Sequence, residues 1–194
     1  FKKLFVSLFF GFNTRIVIAS SGRSGSTMLY EAITNALLNH KYKTFSKSVF
    51  LRKLAQSYLD DISSVKFWST PIIKTHDLPP KKINNTVKYI FVYGDPVSSI
   101  ISANNMKEKK GDIWLERHLY NLRSQALVHD LLSKDVLNYE NQLVVWHSLK
   151  DNNVLTLHYN DLWASEEVIS RFIGYPFKLP RRTSRTQLKE LDID

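Results

Sequence analysis

The sequence predicts a single three-layer α/β domain with a central parallel sheet of about four or five strands flanked by helices. Three observations predict it. Short β-branched runs alternate with stretches of helical period. A chain of 194 residues has room for one core and would crowd two. Its 43% apolar and 23% charged residues are the balance of an ordinary folded chain. Strands alternating with helices bury a parallel sheet between two helical layers. Right-handed crossovers then bring the loops that follow each strand to one edge, where such sheets take their ligands. Residues 1–194 read as one domain, with an apolar and basic segment at 1–14 and a basic tail at 178–194.

In chain order, Arg15–Ala19 (RIVIA) is a β-branched strand that stops at a Ser/Gly cluster, Ser20–Gly25. From Ser26 the period changes: Leu29, Ile33, Ala36 and Leu37 share one helical face. A second amphipathic helix fits Val49–Leu59. Pro71–His76 (PIIKTH) reads as a strand closed off by Pro79 and Pro80. Val87–Tyr93 (VKYIFVY) carries the strongest strand signal and is broken by Gly94-Asp95-Pro96, with a helix starting near Val97. Leu115, Leu119, Leu122 and Ala126 mark a long helix, and another covers roughly Tyr139–Leu149. Val154–His158 (VLTLH) is the last strand and Glu166–Ile173 the last helix.

Charge narrows the class of ligand. The formal net charge is +9. Residues 1–50 hold seven Lys or Arg against one acid, Glu31, and 178–189 hold Lys178, Arg181, Arg182, Arg185 and Lys189 with no acid. Such a field favours anionic ligands: nucleotides, sulfated or phosphorylated substrates, nucleic acid, or an acidic membrane face. The chain has no cysteine, which excludes disulfides, thiolate metal sites and cysteine nucleophiles and points to the reducing cytosol. The apolar run from Leu4 in FKKLFVSLFFGF is about half the roughly 20 residues that cross a bilayer. It reads as a docked helix, with a clipped membrane anchor as the alternative.

The loop at Ser20–Thr27 (SSGRSGST) carries the first chemical signal. Gly22 and Gly25 let backbone N–H groups turn inward, and the following helix points its positive end at the loop. Ser24, Ser26 and Thr27 add hydroxyls, and Arg23 adds a charge with bidentate geometry. Together they make a cradle for a phosphate or sulfate. A nucleoside triphosphatase loop would need Gly-x4-Gly-Lys-Ser/Thr; here Ser26 follows Gly25, and no acid stands where a magnesium ligand is expected.

The segment IVIASSGRSGSTMLYEAI resembles the 5'-phosphosulfate-binding loop of sulfotransferases that use 3'-phosphoadenosine 5'-phosphosulfate (PAPS). Its Arg-Ser-Gly-Ser-Thr core is nearer the carbohydrate-sulfotransferase form than the Lys-Ser-Gly-Thr-Thr form of the cytosolic enzymes. The resemblance implies that Arg23 is the basic residue of the loop and that Ser24 to Thr27 bind the 5'-phosphate. Met28 stands where cytosolic members often carry an adenine-stacking Trp.

Ile72–Leu78 (IIKTHDL) resembles the family's Lys-Thr-His segment, in which the His is the catalytic base. His76 lies at the tip of its strand, on the edge where the anion loop belongs. Lys74, two residues earlier, shares its face. A near-neutral imidazole takes a proton from an acceptor hydroxyl, and the Lys offsets charge on the sulfuryl oxygens. His40, His118, His129, His147 and His158 read as structural, and none pairs at metal-ligand spacing.

Tyr89–Ser102 (YIFVYGDPVSSIIS) resembles the 3'-phosphate motif, a strand ending in Arg with a Ser eight residues later. Ser102 matches the Ser, but Gly94 stands in the place of the Arg. The basic cluster Arg181, Arg182 and Arg185 is the natural substitute. Val154–Leu162 (VLTLHYNDL) resembles the late strand that usually ends Tyr-Glu-Asp-Leu, with Asn160 replacing the Glu.

The expectation is therefore metal-free, in-line sulfuryl transfer from PAPS to a hydroxyl or amine on a small-molecule or carbohydrate acceptor. His76 is its base, and Arg23 and Lys74 stabilise developing charge. Two alternatives stand beside it. A non-catalytic nucleotide-binding relative is motivated by Gly94, and a nucleic-acid-binding module by the charge of +9, although no recognised nucleic-acid motif accompanies that charge.

Overall fold

The computed structural model describes residues 15–43, 47–59, 61–62, 70–131 and 134–182. The expected N-terminal helix and Arg185 lie outside them. Five parallel strands form one sheet in the order β2-β3-β1-β4-β5. These are β1 (Arg15–Ser20), β2 (Gln56–Leu59), β3 (Ile72–Thr75), β4 (Val87–Tyr93) and β5 (Val154–His158). Among the described residues six helices accompany them: α1 (Ser26–Lys41), α2 (Val49–Ala55), α3 (Pro96–Lys110), α4 (Asp112–Asn121), α5 (Tyr139–Ser148) and α6 (Glu166–Ile173).

Alternation along the central strands divides the core. Ile16, Ile18, Ile90 and Val92 face α1 and α6, meeting Leu29, Ile33, Ile169 and Ile173. Val17, Ala19, Tyr89 and Phe91 face the other way onto Trp146 of α5, whose ring stacks on Phe91 at 5.2 Å. Both faces of a parallel sheet are thereby dry, which is why these strands read as unbroken apolar runs.

Three elements differ from the sequence expectation. The stretch expected as one helix over Val49–Leu59 is helix only to Ala55, and Gln56–Leu59 then pairs in parallel with β3 as the edge strand. Tyr58 falls at helical spacing from Leu51, Leu54 and Ala55, so the period conceals the strand. The helix expected around Leu115–Ala126 ends at Asn121, where Arg123 turns the chain at φ 57. His76 lies one residue beyond β3. Among the described residues no helix is long and apolar enough to cross a membrane.

Strand order places the site. From β1 the chain crosses to β2 and β3 on one side, then to β4 and β5 on the other. The loop after β1 thus lies at a topological switch, flanked by the ends of β3 and β4, and such crevices take ligands in open α/β sheets.

Candidate functional site

The loop between β1 and α1 is bent by three left-handed residues: Gly22 (φ 80), Arg23 (φ 52) and Gly25 (φ 79). Each explains itself differently. A Cβ at Gly25 would sit 2.5 Å from the Tyr159 ring, so this position needs glycine for space as well as for φ, whereas one at Gly22 would come within 3.1 Å of Leu122, a tight approach added to the positive φ. Arg23 bears the strain of a non-glycine residue in that region. Gly25 is also the N-cap of α1, which has no side-chain cap. The first-turn N–H groups of α1 have no intrahelical acceptor and face the loop with the positive end of the helix dipole.

The loop's side chains are tied to both neighbouring strands. Ser24 donates its hydroxyl to the Val92 carbonyl at 2.9 Å, so it fastens the loop to β4. Ser20 donates to Ser26 (Oγ–Oγ 2.9 Å). Lys74 donates from Nζ to Thr27 Oγ1 at 2.7 Å, leaving the Thr27 hydroxyl proton to point elsewhere. Arg23 donates from Nε to Ser102 Oγ at 3.0 Å, and its guanidinium lies 5.8 Å from the Trp114 ring centroid. Gly94 abuts the loop, with room for a Cβ at 3.5 Å from Ser24.

His76 is 6% exposed. Its Nδ1 lies 2.9 Å from Ser20 Oγ and 3.1 Å from the Ser20 carbonyl oxygen. A carbonyl only accepts, so Nδ1 carries the proton and Nε2 the lone pair. Gln142 fixes the backbone from behind, donating to the His76 carbonyl at 2.7 Å. Burial, reinforced by the Lys74 charge, pushes His76 down to about 4. Lys74 falls to about 8 through burial and the nearby Arg23. Asp77, directly after His76, accepts from Arg123 Nε at 3.0 Å and from the Ile62 N–H at 2.9 Å. Asp95 caps α3 by accepting from the Ser98 N–H at 2.7 Å. Among the described residues no cluster of His, Asp or Glu is arranged to hold a metal.

Of the residues singled out in the sequence, the structure gathers Gly22 to Thr27, Lys74, His76 and Ser102 around one loop. Met28 is half-buried against the core on the α1 side. Arg182 donates to Asn160 Oδ1 at 3.0 Å, whereas Arg181 is exposed and joins none of these contacts.

Sequence reasoning missed His118. Its ring meets His76 edge-on at 5.3 Å and stacks on Trp114 at 5.0 Å. Its Nε2 is buried without a hydrogen-bond partner. Burial, with His76 next among the causes, pushes it down to about 3. No local pattern marks it, because its partner lies 42 positions away, from 76 to 118. Tyr159, wedged against Gly25, carried a signal only through its place after the last strand.

The sulfotransferase domain profile matches residues 13–192. The chain belongs to the sulfotransferase domain family. Among solved structures, this sulfotransferase domain is similar to retinol dehydratase in complex with androsterone and the inactive cofactor PAP. The match has 20% identity and a TM-score of 0.54, covering 90% of this chain and 65% of that one. It is also similar to retinol dehydratase in a complex with retinol and PAP, at 20% identity and a TM-score of 0.52, covering 89% and 63%. At that identity the likeness bears on the fold. The chain spans less than two thirds of the length of either structure. No curated protein matches the sequence.

Proposed function

We propose that the domain transfers a sulfuryl group from PAPS to a hydroxyl or amine of a small-molecule or carbohydrate acceptor, leaving adenosine 3',5'-bisphosphate. The observation that carries this reading is the His76–Ser20 carbonyl bond, which holds the imidazole against the strand end from which an arginine- and lysine-flanked anion loop springs. PAP-bound structures of similar fold support the donor.

PAPS supplies an activated sulfuryl group whose bridging bond to the 5'-phosphate breaks. The chain's own residues do the rest. The 22–27 loop and the α1 N-terminus bind the 5' end. His76 takes the acceptor proton at Nε2 as the acceptor oxygen or nitrogen bonds to sulfur. Lys74 and Arg23 stabilise the charge that passes to the departing phosphate. An imidazole held near 4 is a weak base; a bound anion offsets the Lys74 and Arg23 charges that help depress it and so raises it towards its working range.

Gly94 removes the guanidinium expected at the end of β4. The proposed substitutes are Arg23, which donates to Ser102, and the tail residues Arg181 and Arg182. A thermal-shift comparison tests the donor class. Adenosine 3',5'-bisphosphate is expected to raise the melting midpoint more than ADP or ATP does; equal or larger shifts with ADP and ATP would contradict the reading.

A further inference from the structure

His118 enters the site from α4 and takes no part in the mechanism above. Its ring stacks on Trp114 of the same helix at 5.0 Å and meets the His76 ring edge-on at 5.3 Å. Its Nε2 reaches the anion loop, since a Cβ on Gly22 would lie 3.2 Å from that atom. Gln142 ties the two imidazoles into one frame, donating to the carbonyls of His76 at 2.7 Å and Leu122 at 3.3 Å. The ring is thus fixed between His76 and the turn that opens the loop.

Nε2 is buried there without a hydrogen-bond partner among the described residues. An unmet polar atom of that kind weakens a fold, and a phenylalanine ring would fill the place without the cost. Its retention points to a partner that the folded chain does not itself contain. The titratable and charged groups nearest His118 are His76, Arg23 and Lys74. Arg23 and Lys74 are donors only. What the surroundings of Nε2 lack is an acceptor, and an anion seated on the loop brings one. Burial and those neighbours hold the imidazole neutral, down to about 3, so it offers an uncharged N–H.

We propose that His118 is a ligand-binding residue of the loop, donating its Nε2–H to an oxygen of the anionic group seated over residues 22–27. The inference rests on reading that loop as the seat of the nucleotide's 5' end. A neutral donor adds direction where Arg23 and Lys74 add charge. It does so without strengthening the field that already opposes protonation of His76.

The test is titration calorimetry of adenosine 3',5'-bisphosphate and of adenosine 3'-monophosphate, which lacks the 5' group, against the intact domain and its variants. His118→Phe, which keeps an aromatic ring but no N–H, is expected to weaken the bisphosphate roughly tenfold and the 3'-monophosphate by no more than about twofold. Its melting midpoint should hold or rise. His118→Gln carries an amide nitrogen as many bonds from Cα as Nε2 of histidine, and it should regain most of the bisphosphate affinity although it loses the ring. A merely structural ring would give the reverse order, with the Phe variant near the wild type and the Gln variant impaired. That order, or a Phe variant that weakens both nucleotides in equal measure, would overturn the inference and leave the PAPS reading standing. A wild type that binds ADP as tightly as the bisphosphate would overturn the PAPS reading alone, because ADP also brings a 5'-phosphate and the His118→Phe loss would persist on it.

Discussion

His76 donates its Nδ1–H to the carbonyl oxygen of Ser20 across 3.1 Å, joining the tip of β3 to the last residue of β1. Parallel pairing of the two strands, with Ala19 opposite Thr75, delivers both groups to the same level of the sheet edge. The bond fixes the tautomer, and the anion loop begins in the turn directly after Ser20. Backbone register therefore sets the distance between base and loop, and side-chain choice decides only what chemistry occupies it.

Lys74 should make nucleotide binding depend on pH. Its ammonium, lowered to about 8 by burial first and Arg23 second, loses its proton as pH rises through that value, whereas a bound anion favours the charged form. Affinity for adenosine 3',5'-bisphosphate is expected to fall above pH of about 8 with proton uptake on binding, seen calorimetrically in buffers of different ionisation enthalpy. Lys74→Arg should bind without that decline. A flat profile in the wild type would contradict the assignment.

Stability should decline in acid through the two buried imidazoles. His76 and His118 are lowered from 6.5 to about 4 and about 3, so between those values and 6.5 the unfolded chain binds more protons than the folded one. Stability then rises with pH across that window and is fully present above it. The melting midpoint is expected to fall from about pH 7 to about pH 5, and His118→Asn should shrink that fall. An unchanged fall in the variant would remove His118 from the account.

Gly25→Ala should cost stability on the order of 1–3 kcal/mol, through positive φ and collision with Tyr159. For a domain of this size that lowers the melting midpoint by roughly 2–4 °C per kcal/mol. Thermal denaturation checks it. Gly94→Ala, at a position with room for a Cβ, should change the midpoint far less, and equal losses at the two positions would contradict the packing described for the loop.

Much of this was legible in the sequence because it is local. Val87–Tyr93 and Val154–His158 are β-branched or aromatic runs, and the structure has strands with the same ends. The loop announced itself through two glycines and an arginine in four residues. What was not legible is long-range. Gln56–Leu59 becomes a strand because β3 offers an edge, not because its residues favour one. His118 acquires meaning only when α4 lays it against His76. Asn160 read as a departure from a familiar pattern until Arg182, 22 positions later, was found on its amide.

The central claim is that His76 takes the acceptor proton beside the loop. The most direct measurement is sulfuryl transfer from PAPS by His76→Ala, with adenosine 3',5'-bisphosphate affinity measured on the same preparation. Turnover is expected to fall by roughly 100-fold or more while affinity changes by no more than about twofold. Turnover equal to that of the wild type would contradict the claim.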